Sequence, residues 1–426
     1  MTSAADRSWA IFPAGSPGEY NLPRELTIVL ARGRGATVWD TDGRAFTDFT
    51  MGWGSVILGH AHPAIVEAVR RRVELGSNFA YVTDASLELA EELAHAVPCA
   101  ERMRFCASGT EATAYAARLA RAASGRSRIL KFEGAYHGAN EVGTVSLFPR
   151  RLLAFPEGEP TSAGIPAGSV AEVLVAPYND LRTTTAILTA HRDEIAAVIV
   201  EPLHRCTPPQ PGFLAGLREL TAELGVLLIF DETVTGFRLA YGGAQEYYGV
   251  RPDLATFGKA LGGGYPIGVV AGRADVLDLV REDRLGEDRY VWFASSIGGN
   301  PVSATAAVAT LAELRRPGAY PRLFALGEAL RAGLVSVLKE EGVTAQVQGD
   351  GPLAAIVFAD HEIVDYRSAF DSDRARARAF LLGLFRRGIF LNPMSTKLYL
   401  SLAHTDEDIQ RFLAIARATL REDCRG

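Results

Sequence analysis

Short apolar runs alternate with amphipathic stretches between residues 100 and 271, and this pattern restricts the fold more than any other feature of the chain. The run at 226–230, Val-Leu-Leu-Ile-Phe, is apolar throughout, which is typical of a strand covered on both faces of a sheet. Strands that alternate with helices indicate a mostly parallel, doubly wound sheet. We therefore predict an α/β fold with one large sheet. The predicted strands lie at 103–105, 129–132, 172–175, 196–200, 226–230 and 267–271, and the predicted helices lie at 111–123, 181–191 and 214–224.

The two ends of the chain have a different character. An Asp42-Gly43 turn stands between two β-like runs and predicts a hairpin. Pro63 is placed to begin a helix, because a missing N–H costs least at the first helical position. Asn300-Pro301 begins an Ala-rich helix, after which helices and short strands alternate less regularly. These later elements are predicted helices at 321–341 and 372–387, strands at 353–358 and 399–402, and a last helix that starts after Thr405.

These changes divide the chain into three predicted parts. Residues 1–58 form an N-terminal arm and hairpin that join the small domain. Residues 59–315 form the large domain, and residues 316–426 form a small α+β domain.

Composition excludes several classes of function. The net charge is −6 and there is no long basic run, which argues against nucleic acid as a partner. No apolar stretch approaches the roughly 20 residues of a membrane span, and no signal peptide is visible near the N-terminus. The four cysteines are scattered, which indicates reduced thiols in a cytoplasmic protein. His60 and His62 have no cysteine or carboxylate cluster at ligand spacing, so no metal site is expected.

Lysine is rare in this chain, and one lysine stands in an unusual place. Lys and Arg total 44, and only four of these are lysines. Lys259 follows an apolar run and precedes three consecutive glycines, Gly262-Gly263-Gly264. A lysine amine forms a Schiff base with a carbonyl group, whereas guanidinium stays charged and cannot. The alternative is a surface lysine beside a flexible loop.

Asp231 directly follows the predicted strand at 226–230 and precedes Lys259 by 28 residues. One helix and one further strand fit between them, so both side chains are expected at the same edge of the sheet, where open α/β sheets bind ligands. A pyridinium nitrogen for the aspartate and an aldehyde for the lysine would explain both, and pyridoxal 5'-phosphate (PLP) supplies both groups. A lone Asp here could instead be a helix cap or part of a salt bridge.

Two further segments follow predicted strands. Ser108, Gly109 and Thr110 offer hydroxyl and N–H groups at the start of a helix, which suits a phosphate; the alternative is ordinary helix capping. Tyr136 and His137 lie between Gly134 and Gly138. Tyr136 could stack on a flat ring, or pack at a domain edge.

Taken together, these motifs resemble the class III PLP-dependent aminotransferases of fold type I, and within them the glutamate-1-semialdehyde aminomutase branch. The similarity runs from about residue 25 to residue 420. The matching motifs are Leu58–Pro63, Ser108–Ala112, Lys131–Gly138, Val200–Pro202, Phe230–Arg238, Pro252–Leu254, Gly258–Gly264, Gly299–Pro301 and Ser401–Thr405.

The resemblance implies a role for each cofactor residue. Lys259 would form the Schiff base and move the proton, and Asp231 would keep the pyridine nitrogen protonated. Tyr136 would stack on the ring beside His137, and Glu201 would orient the cofactor edge. The phosphate would be bound by Ser108, Gly109 and Thr110, with Ser296 reaching it from the neighbouring subunit of a homodimer with shared active sites.

The chain departs from the family pattern at two cofactor residues and in three loops on the substrate side. Ser296 stands where the family usually has Thr. Thr233 stands where the family usually has Val under the ring. The loop after Glu201-Pro202 differs from the longer, Gly-containing loop of the branch. The segment 392–399 lacks the Glu of the aminomutase, and the segment 13–20 lacks the Arg that relatives use for a substrate carboxylate. The cofactor half of the site is therefore expected to be intact and the substrate half rebuilt.

Four residues are candidates for contact with the substrate. Arg205 or Lys397 could supply the missing positive charge, although each could also be a solvated surface charge. Trp53 falls where the aminomutase branch lines its substrate pocket, although it could be an ordinary core residue. Tyr20 lies in the N-terminal stretch that lacks Arg.

Three functions follow from these residues. The first is an aminotransferase, which moves an amino group from an amine or amino-acid donor to a carbonyl acceptor through Lys259. The second is an isomerase, an aminomutase or epimerase of the glutamate-1-semialdehyde aminomutase type. The third is a binding protein with the same fold and no catalysis, which an intact Lys259 and Asp231 disfavour. The substrates are small molecules in each case.

Overall fold

The computed structural model describes residues 3–424, which cluster into two compact units. The first unit contains the chain up to Pro63, the segment Pro317–Ile363 and the chain from Asp371 onward. The second unit contains Ala64–Arg316 and the short segment Val364–Phe370. The second unit is therefore made of two stretches that are far apart in sequence.

The strands of the described residues are named here in chain order. They are β1 Leu30–Arg34, β2 Thr37–Asp40, β3 Ala45–Asp48, β4 Arg102–Cys106, β5 Arg128–Phe132, β6 Val173–Ala176, β7 Ile195–Val200, β8 Leu227–Asp231, β9 Leu254–Phe257, β10 Gly268–Gly272, β11 Gln346–Gln348, β12 Leu353–Val357, β13 Ile389–Phe390 and β14 Leu398–Tyr399.

The helices are named in the same way. They are α1 Ala4–Ile11, α2 Met51–Gly54, α3 Pro63–Val73, α4 Asp84–Ala96, α5 Gly109–Ser124, α6 Glu141–Thr144, α7 Ala167–Ala171, α8 Leu181–Ala190, α9 Phe213–Glu223, α10 Ala244–Tyr248, α11 Ala274–Leu277, α12 Pro301–Leu314, α13 Ala319–Glu340, α14 Tyr366–Phe370, α15 Arg374–Arg386 and α16 Asp406–Glu422. Short 3-10 turns lie at Pro13–Gly15, Arg24–Leu26, Lys259–Gly262, Asp278–Val280 and Glu282–Arg284.

The second unit is built on a seven-stranded sheet in the order β4-β10-β9-β8-β7-β5-β6. The strands from β9 to β6 are parallel, and β10 is antiparallel to both of its neighbours. Every residue of β6, β7, β9 and β10 is buried, because helices cover such a sheet on both faces. The α/β fold with a large, mostly parallel sheet is confirmed.

Strand direction decides which side chains meet. Since β4 and β9 are both antiparallel to β10, they run the same way as β5, β7 and β8. The carboxyl ends of these five strands therefore lie at one edge of the sheet. Each of the predicted cofactor motifs follows one of these five ends.

Helix α5 packs over β7, β9 and β10. Its buried face is made of small side chains, including Ala112, Ala116 and Ala120, which allow the helix to approach the sheet closely. Ser108 caps its start, and Gly125, with φ of 73°, ends it in the left-handed conformation. The helix start is thereby held at the carboxyl edge of the sheet.

The first unit carries two small sheets, β1-β2-β3-β13 and β11-β12-β14. The predicted hairpin is present as β2 and β3, with Gly43 at φ of 84° in the turn. Strand β1, which was not predicted, pairs with β2. The predicted capping box is also present, since Thr405 and Asp408 exchange hydrogen bonds at the start of α16. Among residues 3–424, no helix combines the length and the apolar character needed to cross a membrane.

Candidate active site

Asp231 is the last residue of β8 and is buried within a set of hydrogen bonds. Its Oδ1 accepts from the hydroxyl of Thr233 at 2.6 Å, from the backbone N–H of Thr233 at 3.1 Å and from the hydroxyl of Thr256 at 3.0 Å. Its Oδ2 lies 2.9 Å from Nδ1 of His137. These donors offset the cost of burying the carboxylate.

The imidazole of His137 is fully buried. Its Nδ1 is engaged by Asp231, while its Nε2 has no hydrogen-bond partner among residues 3–424. Buried polar atoms nearly always have a partner. The unpartnered nitrogen beside Asp231 is therefore consistent with a polar group bound at this position.

Lys259 lies at the same edge of the sheet as Asp231. Asp231 pairs in register with Thr256 on β9, and Lys259 follows Thr256 by three residues. Lys259 begins a 3-10 turn with φ of 42°, in the left-handed region that non-glycine residues rarely adopt. Such backbone strain clusters at functional sites.

Gly109, Thr233 and Gly258 lie close together beside Lys259. A Cβ built on Gly258 would lie 3.5 Å from Cγ2 of Thr233 and 3.8 Å from the backbone nitrogen of Gly109. A Cβ built on Gly109 would lie only 2.8 Å from Cγ2 of Thr233. The start of α5, the Asp231 loop and the Lys259 turn are therefore in direct contact, and Gly109 leaves no room for a side chain.

The Ser-Gly-Thr motif at the start of α5 fits both helix capping and phosphate binding. The hydroxyl of Ser108 accepts from the N–H of Glu111 at 3.2 Å, which is ordinary capping. The hydroxyl of Thr110 accepts from the N–H of Ala139 at 3.2 Å, and a Cβ on Gly138 would lie 2.6 Å from Cα of Thr110. The helix start still presents backbone N–H groups and the positive end of its dipole, which favour an anion.

Glu201, the first residue after β7, connects two loops. Its Oε1 accepts from the N–H of Tyr136 at 2.7 Å, and its Oε2 accepts from the N–H of Arg205 at 3.3 Å. Arg205 and Cys206 both have positive φ, at 58° and 116°. The buried carboxylate thus fixes Tyr136 and the strained turn of Arg205 relative to each other.

Lys131, in β5, is a site residue whose role sequence reasoning missed. Its ammonium is fully buried and donates to the carbonyls of Ala135 at 3.0 Å, Gly143 at 3.1 Å and Val145 at 2.6 Å. Burial lowers the pKa of Lys131 to about 7. The signal that could have identified it is a rare lysine inside an apolar strand of an Arg-rich chain.

The four remaining candidates are described by their own surroundings. Ser296 is exposed in the second unit, where its carbonyl accepts from the side-chain amide of Asn78 at 3.0 Å. Tyr20, Trp53 and Lys397 belong to the first unit. There the rings of Tyr20 and Trp53 meet edge to face with centroids 6.1 Å apart.

Trp53 and Lys397 differ in how they are held. Trp53 has φ of 58° inside α2, a four-residue turn in which Met51, Gly52 and Gly54 also have positive φ. The ammonium of Lys397 stands 5.7 Å from the ring centroid of Tyr399. Backbone strain therefore accompanies Trp53, as it does Arg205 and Lys259.

The residues at the carboxyl edge fit the groups of PLP. The edge holds a buried carboxylate for a ring nitrogen, a lysine for an aldehyde, and a helix start for a phosphate. The buried Nε2 of His137 has no partner among residues 3–424, which fits a polar group of the cofactor beside Asp231. The geometry thus supports the expected cofactor.

Comparisons with known proteins agree over nearly the whole chain. The class-III aminotransferase family matches residues 20–420. A glutamate-1-semialdehyde 2,1-aminomutase of Thermomicrobium roseum is 40% identical over 99% of this chain and 98% of its own length.

Solved structures give the same relationship. An omega-transaminase from Sphaerobacter thermophilus superposes with a TM-score of 0.92 at 38% identity, covering 100% of this chain and 98% of the transaminase. A variant glutamate-1-semialdehyde aminomutase from Pseudomonas aeruginosa PAO1, in complex with PMP, superposes with a TM-score of 0.87 at 29% identity, covering 99% and 94%.

Proposed function

The chain belongs to the class-III aminotransferase family, whose cofactor is pyridoxal phosphate, and on this premise we propose that it is an aminomutase, an isomerase that relocates an amino group within a small substrate. The main support for amino-group chemistry is the pairing of Asp231 with Thr256, which brings Asp231 and Lys259 to one edge of the sheet. The name of the Thermomicrobium roseum relative favours the isomerase. The sequence alone placed an aminotransferase first, and the comparison reverses that order.

We assign the cofactor-binding roles as the family pattern implies them. Lys259 would hold the cofactor covalently and carry a proton at Nζ. Asp231 would bind the ring nitrogen, supported by His137 and Thr233. Tyr136 would cover the ring, and Glu201 would fix the loop of Tyr136 through its backbone.

The phosphate would be bound at the start of α5 by Ser108, Gly109 and Thr110. When bound, the cofactor withdraws electrons from the substrate carbon that carries the amino group. The protein's part is to orient that carbon, to keep the ring nitrogen charged and to move the proton.

An aminotransferase is the second candidate. Two observations favour it: the 38% identity and TM-score of 0.92 with an omega-transaminase, and the segment 392–399, which has no carboxylate where the aminomutase branch has Glu. Both reactions begin with the same removal of an amino group from a substrate. They differ in whether a separate carbonyl acceptor is needed.

Purified enzyme loaded with pyridoxal phosphate and supplied with glutamate-1-semialdehyde alone separates the two functions. An aminomutase turns over repeatedly without an added acceptor. Because this substrate carries both an amine and an aldehyde, the product is identified as well: an aminomutase accumulates an isomer of unchanged mass, whereas an aminotransferase gives one deaminated and one diaminated product. With an amine donor that has no carbonyl group to accept the amine, an aminotransferase stops after about one equivalent per active site and resumes only when a carbonyl acceptor is added. If neither this substrate nor any amine in a broad panel changes the cofactor spectrum at stoichiometric enzyme, both functions are wrong.

We also propose that the active form is a homodimer with shared active sites. In the second unit a run of apolar side chains is exposed close in sequence to Asn78, which bonds to the carbonyl of Ser296. A protein interface is the usual reason for several large apolar side chains to be exposed in one short segment. Light scattering at micromolar protein checks the dimer, and a monomer that is fully active would contradict it. The exposed side chains are Val73, Leu75, Phe79, Tyr81 and Val82, with Trp292 and Ile297 on the Ser296 segment.

A further inference from the structure

A short segment from late in the sequence is built into the second unit. Val364–Phe370 belongs to that unit although the residues on either side of it belong to the first. Its helix, α14, is only five residues long, so its position depends on the contacts of individual side chains.

Arg367 makes the strongest of these contacts, with Glu133. Its Nε donates to Oε2 of Glu133 at 2.7 Å, and its Nη2 donates to Oε1 at 3.2 Å. Nη2 also donates to the carbonyl of Leu153 at 2.6 Å, and the guanidinium lies over the ring of Phe155, 3.6 Å from its centroid. A bidentate, stacked guanidinium has a fixed orientation that a lysine cannot reproduce.

Tyr366 reinforces the same attachment. A Cβ built on Gly134, whose φ is 83°, would lie 2.6 Å from Cδ2 of Tyr366. The hydroxyl of Tyr366 donates to the carbonyl of Pro149 at 3.2 Å. The ring therefore closes over the backbone at Gly134, where no side chain fits.

Glu133 stands at the start of the loop that carries Tyr136 and His137. Its side chain is buried, and a buried carboxylate requires a cation or several donors. On the other side of Gly134, the carbonyl of Ala135 accepts from Lys131. The amine of Lys131 from β5 and the guanidinium of Arg367 from α14 thus hold the first three residues of this loop.

We propose that Arg367 is a positioning residue for cofactor binding: by fixing Glu133 it sets the position of Tyr136 and His137. This role rests on the proposed roles of Tyr136 and His137. It adds Arg367, which lies 230 positions after His137 in the sequence. The competing explanation is that the ion pair only stabilises the fold.

Arg367→Met and a matched control separate these explanations. The control is Arg218→Met, because Arg218 pairs with Asp253 in the same unit at 2.7 Å and is similarly enclosed, with side-chain exposures of 24% and 10% against 31% and 4% for Arg367 and Glu133. Three quantities are measured for each protein: the dissociation constant of pyridoxal phosphate from the apoenzyme, the absorption spectrum of the bound cofactor and its pH dependence, and the melting temperature of the apoenzyme.

We expect Arg367→Met to weaken cofactor binding by roughly 10-fold or more and to alter the spectrum. Arg218→Met should lower the melting temperature while leaving both cofactor readouts unchanged. If Arg367→Met does not fold, Arg367→Lys serves instead, with an intermediate loss expected because an ammonium keeps the charge without the bidentate geometry.

A lower melting temperature with an unchanged dissociation constant and spectrum in the Arg367 variants would overturn the proposal. So would an equal loss of cofactor binding in Arg218→Met. Tyr136→Ala and His137→Ala are tested in parallel. If these two variants bind the cofactor normally, it is the proposed roles of the loop that fail, a result distinct from a failure at Arg367 alone.

Discussion

Asp231 and Thr256 are register partners on neighbouring parallel strands, joined by a hydrogen bond of 3.0 Å between the threonine hydroxyl and Oδ1 of the carboxylate. Since Lys259 follows Thr256 by three residues, this pairing brings the two chemically important side chains to one edge of the sheet. Asp231 and Lys259 are 28 residues apart in sequence, but they stand at the ends of neighbouring strands. Lys259 and Asp231 can each be tested there by substitution.

Replacement of Lys259 by Ala should abolish the covalent link to the cofactor. Turnover should fall by orders of magnitude, on the order of 10³-fold or more, because no other amine replaces it. Borohydride reduction followed by peptide mass spectrometry reports the link directly. Lys339→Ala, at an exposed position on α13, is the control and should retain it. A labelled Lys259 peptide missing from the wild-type enzyme would refute the assignment.

Asp231→Asn should keep the fold and lose most of the activity. The amide oxygen can still accept from Thr233 and Thr256, whereas the charge that would face the ring nitrogen is gone. We expect a fall in kcat on the order of 100-fold or more. Thr256→Val, which removes one donor from the same network, should cost about 1 kcal/mol of stability and only a few-fold in rate. Equal effects of the two variants on kcat would argue against a role for the carboxylate at the ring.

Lys131 should make stability depend on pH. Burial lowers its pKa from 10.5 to about 7 in the folded protein. Between pH 7 and pH 10.5 the unfolded chain therefore binds more protons at this site than the folded protein does. Stability from this group therefore rises with pH across that window, by up to about 1.4 kcal/mol per pH unit. The free energy of unfolding by denaturant is measured for the wild type and for Lys131→Met. From pH 7 to pH 10 the value for the wild type should rise relative to that of the variant.

The control for this measurement is Lys339→Met, which changes an exposed lysine and should show no such divergence. A flat difference between the wild type and Lys131→Met up to pH 10 would mean that the three carbonyl acceptors keep the buried ammonium charged.

Arg205 and Lys397 are the two candidates for binding a substrate carboxylate. Each is changed to Met, and kcat/KM is compared for an amino acid and for the matching amine without the carboxylate. Loss of the binding cation should reduce kcat/KM for the amino acid by roughly 10- to 100-fold and leave the amine unaffected. Among residues 3–424, Arg205 has no ion-pair partner, and its guanidinium stands 5.5 Å from the ring centroid of Phe148. If neither variant distinguishes the two substrates, both assignments are wrong.

Much of the architecture followed from pattern alone, because buried parallel strands are apolar at every position. The run at 226–230 led to β8 within one residue at each end, and Thr405 correctly marked the start of α16. Pro63 correctly marked the start of α3. Burial along this helix was not predictable: Ile65 is buried, whereas the next residue, Val66, is about half exposed, because sequence does not reveal how much of a helix face is covered.

The residues that sequence missed share one property: no local pattern identifies their partners. Arg367 pairs with Glu133 across 234 positions, and no periodicity or motif announces such a contact. Thr256 looked like an ordinary strand residue until the register of β8 and β9 was known. Lys131 was visible as a rarity, but its three carbonyl partners depend on the path of the loop at 133–145.

The attachment of Val364–Phe370 has a consequence for dissecting this enzyme. A gene fragment that ends at Arg316 would encode every strand of the seven-stranded sheet yet omit the cation that neutralises Glu133. The unit that carries the cofactor motifs is therefore discontinuous in sequence. Truncation or domain grafting at the obvious boundary would deliver a sheet with an uncompensated buried charge, and a working minimal version needs the sequence of α14 spliced back in.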